Sequence, residues 1–152
     1  MLMSLEALLK ERVIRRIRVD EKLVRKTFEI ANRDLETAKE VYKHRSYSWS
    51  LAIAYNSMLQ AGRALMFSQG FKPAGEYKHV AVVKFLHEVF GKELTDRLIM
   101  IFDRIRKKRH RVIYEEPDIV SKDEAKNVIK WAGEFLEKVK KILEERGFFK
   151  VC

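Results

Sequence analysis

Between Arg104 and Arg111 the chain reads Arg-Ile-Arg-Lys-Lys-Arg-His-Arg, six cations and one imidazole in eight residues, and Tyr114 follows one helical turn after His110. Cations, a group that exchanges protons near neutral pH and a phenol, gathered in one short segment, are what a site for polyphosphate or RNA requires. On a continuous helix Arg106, His110 and Tyr114 fall in one i, i+4 row. Arg104, Lys107, Lys108 and Arg111 form a second, cationic row beside it, so that phosphate can lie between them. Arg109 falls instead inside the apolar arc of Leu98, Ile101, Phe102 and Ile105, where an unpaired guanidinium is costly. Three outcomes are consistent with that: a helix distorted near Lys108, a specific anionic partner for Arg109, or an interface with another subunit. The plain alternative for the whole segment is a solvated helix end whose cations favour the negative end of the helix dipole.

The elements that must position this segment read as helices. Ser4 to Ile17 is expected to form a short first helix ending in the basic stretch Arg15, Arg16 and Arg18. From Asp20, a candidate N-cap, the residues Val24, Phe28, Ala31, Leu35, Ala38 and Tyr42 alternate spacings of four and three, the seam of a long amphipathic helix. A third helix from about Ser48 to Gln69 is apolar on most sides and should be the most buried. Within it Asn56 and Gln60 sit one turn apart, read as a hydrogen-bonded pair that fixes packing, and Gly62 allows a neighbouring helix to come close. A fourth helix is expected from Lys78 to Phe90, ended by Gly91, and a fifth from about Lys92 leads into the basic cluster. Ser121 followed by Glu124 predicts a capping box for a last helix to about Arg146, with the seam Val128, Ala132, Phe135, Val139 and Ile142. No segment has strand periodicity. The expected fold class is therefore all-α, an up-and-down bundle of about five to six helices in one domain over residues 1–152, with 1–18 as an extra N-terminal helix.

The formal charge of +10 and a pI near 9.7 favour an anionic partner, since a cationic surface gains by releasing counterions from phosphates. No apolar run is long enough for a bilayer and the N-terminus meets charge too early for a secretory signal, so no membrane partner is expected and the location is expected to be cytoplasmic. The one cysteine, Cys152, fits a reducing compartment. His44, His79 and His87 lack metal-cluster spacing and are expected at helix ends or on the surface. Glu115, Glu116 and Asp118 around Pro117 read as a solvated acidic turn pairing with nearby arginines, not as a cation site. No metal and no cofactor is expected, and no Gly-rich phosphate loop or nucleophile elbow is present.

The text from Arg33 to Phe67, then Gly70 and His79, together with the basic segment as an Arg-x(4–6)-His signature, resembles the HEPN domain (higher eukaryotes and prokaryotes nucleotide-binding) over about residues 20–145. The resemblance implies a helical bundle that forms a homodimer with two signatures facing one cleft. It implies either a metal-independent endoribonuclease of toxin or defence type, or a non-catalytic module that binds nucleotide or nucleic acid and partners a separate minimal nucleotidyltransferase as antitoxin. The signature residues fall on Arg104 and His110, with Tyr114 as the downstream tyrosine, and Arg106, Lys107, Lys108, Arg109 and Arg111 remain for phosphate or RNA. Ile105, which follows Arg104, belongs to the apolar arc, and Arg106 or Arg109 is the alternative phosphate-facing arginine because Arg106 shares a face with His110. A purely structural bundle is the third reading.

Overall fold

A computed structural model describes residues 3–116 and 118–149; Pro117 and Cys152 lie outside them. Six helices and two short strands follow in the order α1 Leu5–Lys10, β1 Ile14–Arg16, α2 Glu21–Lys43, α3 Tyr47–Ser68, β2 Phe71–Pro73, α4 Lys78–Leu94, α5 Asp96–Tyr114 and α6 Lys122–Glu145. The bundle is all-α in class. The first helix is shorter than its sequence suggested, because Arg12 adopts a left-handed backbone (φ 59°) that ends α1 and sends the following residues into an extended path. The basic stretch at Arg15 and Arg16 is thus a strand, paired antiparallel with β2 in the register Ile14↔Pro73, Arg15↔Lys72, Arg16↔Phe71. Three residues are too few to display a period of two, which is why the ribbon left no pattern in the sequence. Gly70, at φ +81°, turns the end of α3 into this ribbon, and a Cβ there would stand 3.1 Å from the Ile17 carbonyl oxygen.

The long helices form where the apolar seams predicted them. Asp20 caps α2, its carboxylate accepting from the Lys22 amide at 2.9 Å, and Val24, Phe28, Ala31, Leu35 and Ala38 are buried. α3 is the central helix, buried on most of its circumference, and it lies against α2, α4, α5 and α6. Ser50 donates from Oγ to the Ala38 carbonyl at 2.9 Å, a buried bond that fixes α3 against α2. Asn56 does not pair with Gln60: its Nδ2 donates to Asp34 Oδ2 at 2.8 Å, a second tie between the same helices. Gly62 allows the close approach expected of it, since a Cβ would come within 2.8 Å of Val82 Cγ1 and 3.1 Å of Leu86 Cδ1 on α4.

The α4–α5 boundary differs from expectation. Helical geometry lapses at Phe90 (φ −122°, ψ 20°), but the chain passes Gly91 and completes another turn to Leu94. The break falls at Thr95, whose backbone is left-handed (φ 69°) and whose side chain caps α5 through the Leu98 amide. The first stretch of helix thus ends at Phe90, before Gly91 as the sequence predicts, and the residues to Leu94 form a further turn beyond the kink, with Phe90 and Leu94 both fully buried.

Ser121 accepts from the Glu124 amide at 3.1 Å and caps α6 as its sequence predicts. The Glu124 carboxylate turns across to Lys108 Nζ at 3.4 Å, joining the start of α6 to the basic helix. Ser121→Ala is expected to destabilise the protein by about 1 kcal/mol, read as a lower urea midpoint with an unchanged slope.

Candidate functional site

α5 presents one apolar and one cationic surface. Leu98, Ile99, Ile101, Phe102, Ile105 and Val112 are buried, which leaves the rest of the circumference to charge. The helix runs without distortion from Asp96 to Tyr114, so its rows are those of a regular helix. His110 and Tyr114 stand together, ring centroids 4.8 Å apart, and both are exposed, Tyr114 at 67%. Arg106, one turn earlier on that row, is partly buried and its Nε donates to Asp103 Oδ1 at 2.8 Å. Asp103 also takes Lys107 Nζ at 3.5 Å, and so restrains the two cations nearest the His110 row. This carboxylate was legible in the sequence, three and four residues before its partners, but it did not figure in the expected site.

The remaining cations divide by face. Arg104 is exposed and lines a small cavity toward α6 with Lys108, Glu124 and Trp131. Six residues turn a helix through about 240°, so Arg104 and His110 point to different sides of α5, whereas Arg106 and His110 share one. Arg111 is held by Glu116 at 3.5 Å, the pairing expected of the acidic turn. These exposed pairs contribute little stability and leave the surface cationic.

Of the outcomes expected of Arg109, the distorted helix is not found. The helix is regular, and the guanidinium lies over the ring of Tyr55, 5.9 Å from its centroid, half-buried in a cation–π contact with α3. Tyr55 is fully buried and its hydroxyl lies 2.9 Å from His79 Nδ1, at the first turn of α4. Burial raises the Tyr55 hydroxyl beyond the ordinary phenol range, so it keeps its proton beside the His79 ring. Burial, reinforced by Arg109, Arg106 and Arg63, holds His79 below the usual histidine range. His79 is at a helix end, as its position suggested, but it is half-buried and coupled to the basic helix through Tyr55. His44 follows the end of α2 and His87 lies on α4, 3.7 Å from Asp96.

The sign of the His79 effect fixes a pH dependence. With a folded pKa below the ordinary 6.5, the unfolded chain binds more protons between the two values. The stability contributed by neutral His79 is complete above the unfolded value and is lost as pH falls through the folded one. Urea midpoints should therefore decline from neutral pH to about pH 5, and His79→Gln, which keeps an acceptor for Tyr55, should flatten that decline.

One further feature has no signal in the sequence. Trp49, at the start of α3, is 61% exposed beside a groove of about 630 Å³ lined also by His44, Tyr47, Val112 and Ile113. This places an aromatic face near the end of α5 that carries His110 and Tyr114. A tryptophan at a helix start carries no signal of exposure by itself. Among the described residues no group of three or more His, Cys, Asp or Glu side chains is placed to hold a metal ion, and no helix is long and apolar enough to cross a membrane.

A central α3 clasped by α2 and α6, with a cationic helix presenting His and Tyr one turn apart, defines the class to which this molecule belongs. The family model of the HEPN domain matches residues 24–142, and the chain is a member of that family. Among individual relatives it is similar to the protein named "Putative toxin MJ0605" of Methanocaldococcus jannaschii, 28% identical over 122 residues that span 77% of this chain and 86% of that one.

Proposed function

We propose that this HEPN protein is a toxin-type endoribonuclease that cleaves RNA without a metal at a site shared by two copies of the chain. The observation that carries the reading is the exposed His110–Tyr114 pair with Arg106 one turn behind it, a proton-transfer group and a guanidinium on one face of a rigid helix. The name of the M. jannaschii relative supports the toxin assignment, and the net charge of +10 supports an RNA substrate.

In this reading the ribose 2′-oxygen attacks the adjacent phosphorus, the bond from phosphorus to the 5′-oxygen breaks, and a 2′,3′-cyclic phosphate and a 5′-hydroxyl result. His110 of one protomer removes the 2′-hydroxyl proton, and the partner subunit's His110 supplies a proton to the departing 5′-oxygen. One imidazole per chain then suffices for both transfers. Arg106 stabilises charge on the five-coordinate phosphorus, its orientation set by Asp103. Arg104, turned toward α6, together with Lys107, Lys108 and Arg111 holds flanking phosphates, while Arg109 fixes α5 on Tyr55. Tyr114 orients His110 through the ring contact.

The test is digestion of mixed RNA by the purified protein in chelator, with end analysis of the products. Cyclic phosphate termini support the reading. Tight binding of RNA, nucleotide or a nucleotidyltransferase partner with no cleavage would replace it with the non-catalytic module.

A further inference from the structure

The β-ribbon, α3 and the start of α4 line a cavity of about 450 Å³ to which no residue of α5 contributes. Its basic lining comes from four elements: Arg15 on β1, Arg63 on α3, Lys72 on β2, and Lys78 and His79 on α4. No carboxylate lines it, and among the described residues none of the two arginines and two lysines is within ion-pair distance of an acid. We propose that this cavity is a binding site for a phosphate monoester, separate from the α5 surface.

Arg63 is the residue that asks for a ligand. Its Nε is buried without a hydrogen-bond partner, while the residue as a whole is only partly buried and lines the cavity, so a ligand there would meet the terminal nitrogens of the guanidinium and not Nε. A buried donor left unpaired is unfavourable, and a charged one more so. Burial also lowers the Arg63 pKa, the mark of a cation partly stripped of water without an anion to compensate. The guanidinium carbon lies over Phe67, 5.5 Å from the ring centroid, and this holds the group in place without satisfying the donor. Asp20 and Glu21 line a neighbouring groove that Arg63 also reaches, but neither forms an ion pair with it among the described residues.

The first turn of α4 adds to the same effect. Tyr77 precedes the helix and offers no side-chain cap, so the leading amides of a 17-residue helix retain donor capacity where Lys78 and His79 enter the lining. Leu59, Val82 and Pro73 form an apolar wall, and the volume lies in the range of small-molecule sites and exceeds what one bare anion fills. Cations for the phosphate and an apolar wall for the rest favour an ester over inorganic phosphate. His79 is held neutral at pH 7, so the charge comes from Arg15, Arg63, Lys72 and Lys78. The chain already ties this cavity to α5 through His79, Tyr55 and Arg109.

Titration calorimetry of the full chain with adenosine 5′-monophosphate, adenosine and inorganic phosphate tests the assignment. The expected order is monophosphate tightest, phosphate weaker and adenosine without measurable binding. Arg63→Met, which keeps an unbranched apolar stem, and Lys78→Ala, an exposed change that leaves the fold alone, should each weaken the monophosphate by about tenfold or more. His110→Ala should leave that binding unchanged. Competition by a 5′-phosphorylated oligoribonucleotide, and none by its 5′-hydroxyl counterpart, would identify an RNA end as the source of the ester; failure of both to compete would identify a free metabolite. Absence of monophosphate binding at millimolar concentration, affinity unaffected by both cavity variants, or affinity lost in His110→Ala would overturn the proposal. Cleavage activity does not enter the readout, so the cavity stands or falls apart from the nuclease reading.

Discussion

His110→Ala is expected to lower RNA cleavage by about 10²–10⁴-fold, the range in which a positioned acid or base contributes, with no comparable change in folding. The position makes this variant clean. His110 is exposed, and its one aromatic neighbour, Tyr114, is itself two-thirds in solvent, so truncation removes no buried contact. Surface changes of that kind shift stability by about 0.5 kcal/mol or less. The proposed dimer should persist, and RNA affinity should fall far less than turnover because the cations proposed to hold phosphate remain. Arg106→Lys completes the argument: it keeps a charge but loses the planar fork held by Asp103, and should reduce turnover more than binding. Undiminished cleavage by a folded, dimeric His110→Ala protein would remove the proposed chemistry altogether.

Much of what positions His110 was written in spacing. The seams of α2 and α6, the caps at Asp20 and Ser121 and the rows along α5 are consequences of periodicity and local hydrogen bonding, and the fold reproduces them. What escaped were features decided by distant parts of the chain. The anomaly of Arg109 was visible as a cation in an apolar arc, but its resolution needed the Tyr55 face, more than fifty positions earlier in sequence. The ribbon of β1 and β2 depends on a pairing across the length of α2 and α3 and on left-handed Arg12, none of which has a local pattern. The same ribbon builds the cationic cavity, so the site least legible in the sequence is the one assembled from the most elements. Within α5, Asp103 was readable by spacing alone, three residues before Arg106 and four before Lys107, the two cations it pairs with.

Phe102→Ala is expected to cost about 3–5 kcal/mol, the largest loss of stability that a change beneath the site should produce. Phe102 is fully buried and joins three helices, its ring 5.6 Å from Tyr55 on α3 and 5.4 Å from Phe135 on α6. Truncation removes the area of one ring and leaves a void between α3, α5 and α6, lined by the fully buried rings of Tyr55 and Phe135 that their own packing holds in place. That limits collapse, and poor collapse places the cost toward the upper end of the range. In a chain of 152 residues the loss corresponds to a fall of roughly 10 °C or more in Tm. Tyr55→Phe offers the contrast: it keeps the ring contacts and removes only the hydroxyl that hydrogen-bonds to His79, at a cost nearer 1–3 kcal/mol. If the aromatic stack and not the hydroxyl holds α5 against α3, Phe102→Ala should loosen the seat of Arg109 and lower RNA cleavage along with Tm, while Tyr55→Phe should leave cleavage close to the parent protein. The two variants, compared by thermal melts and by RNA digestion at a temperature where both are folded, separate packing beneath the basic helix from the hydrogen bond beside it. Equal losses in the two would show that the hydroxyl, and not the stacked rings, sets the position of α5.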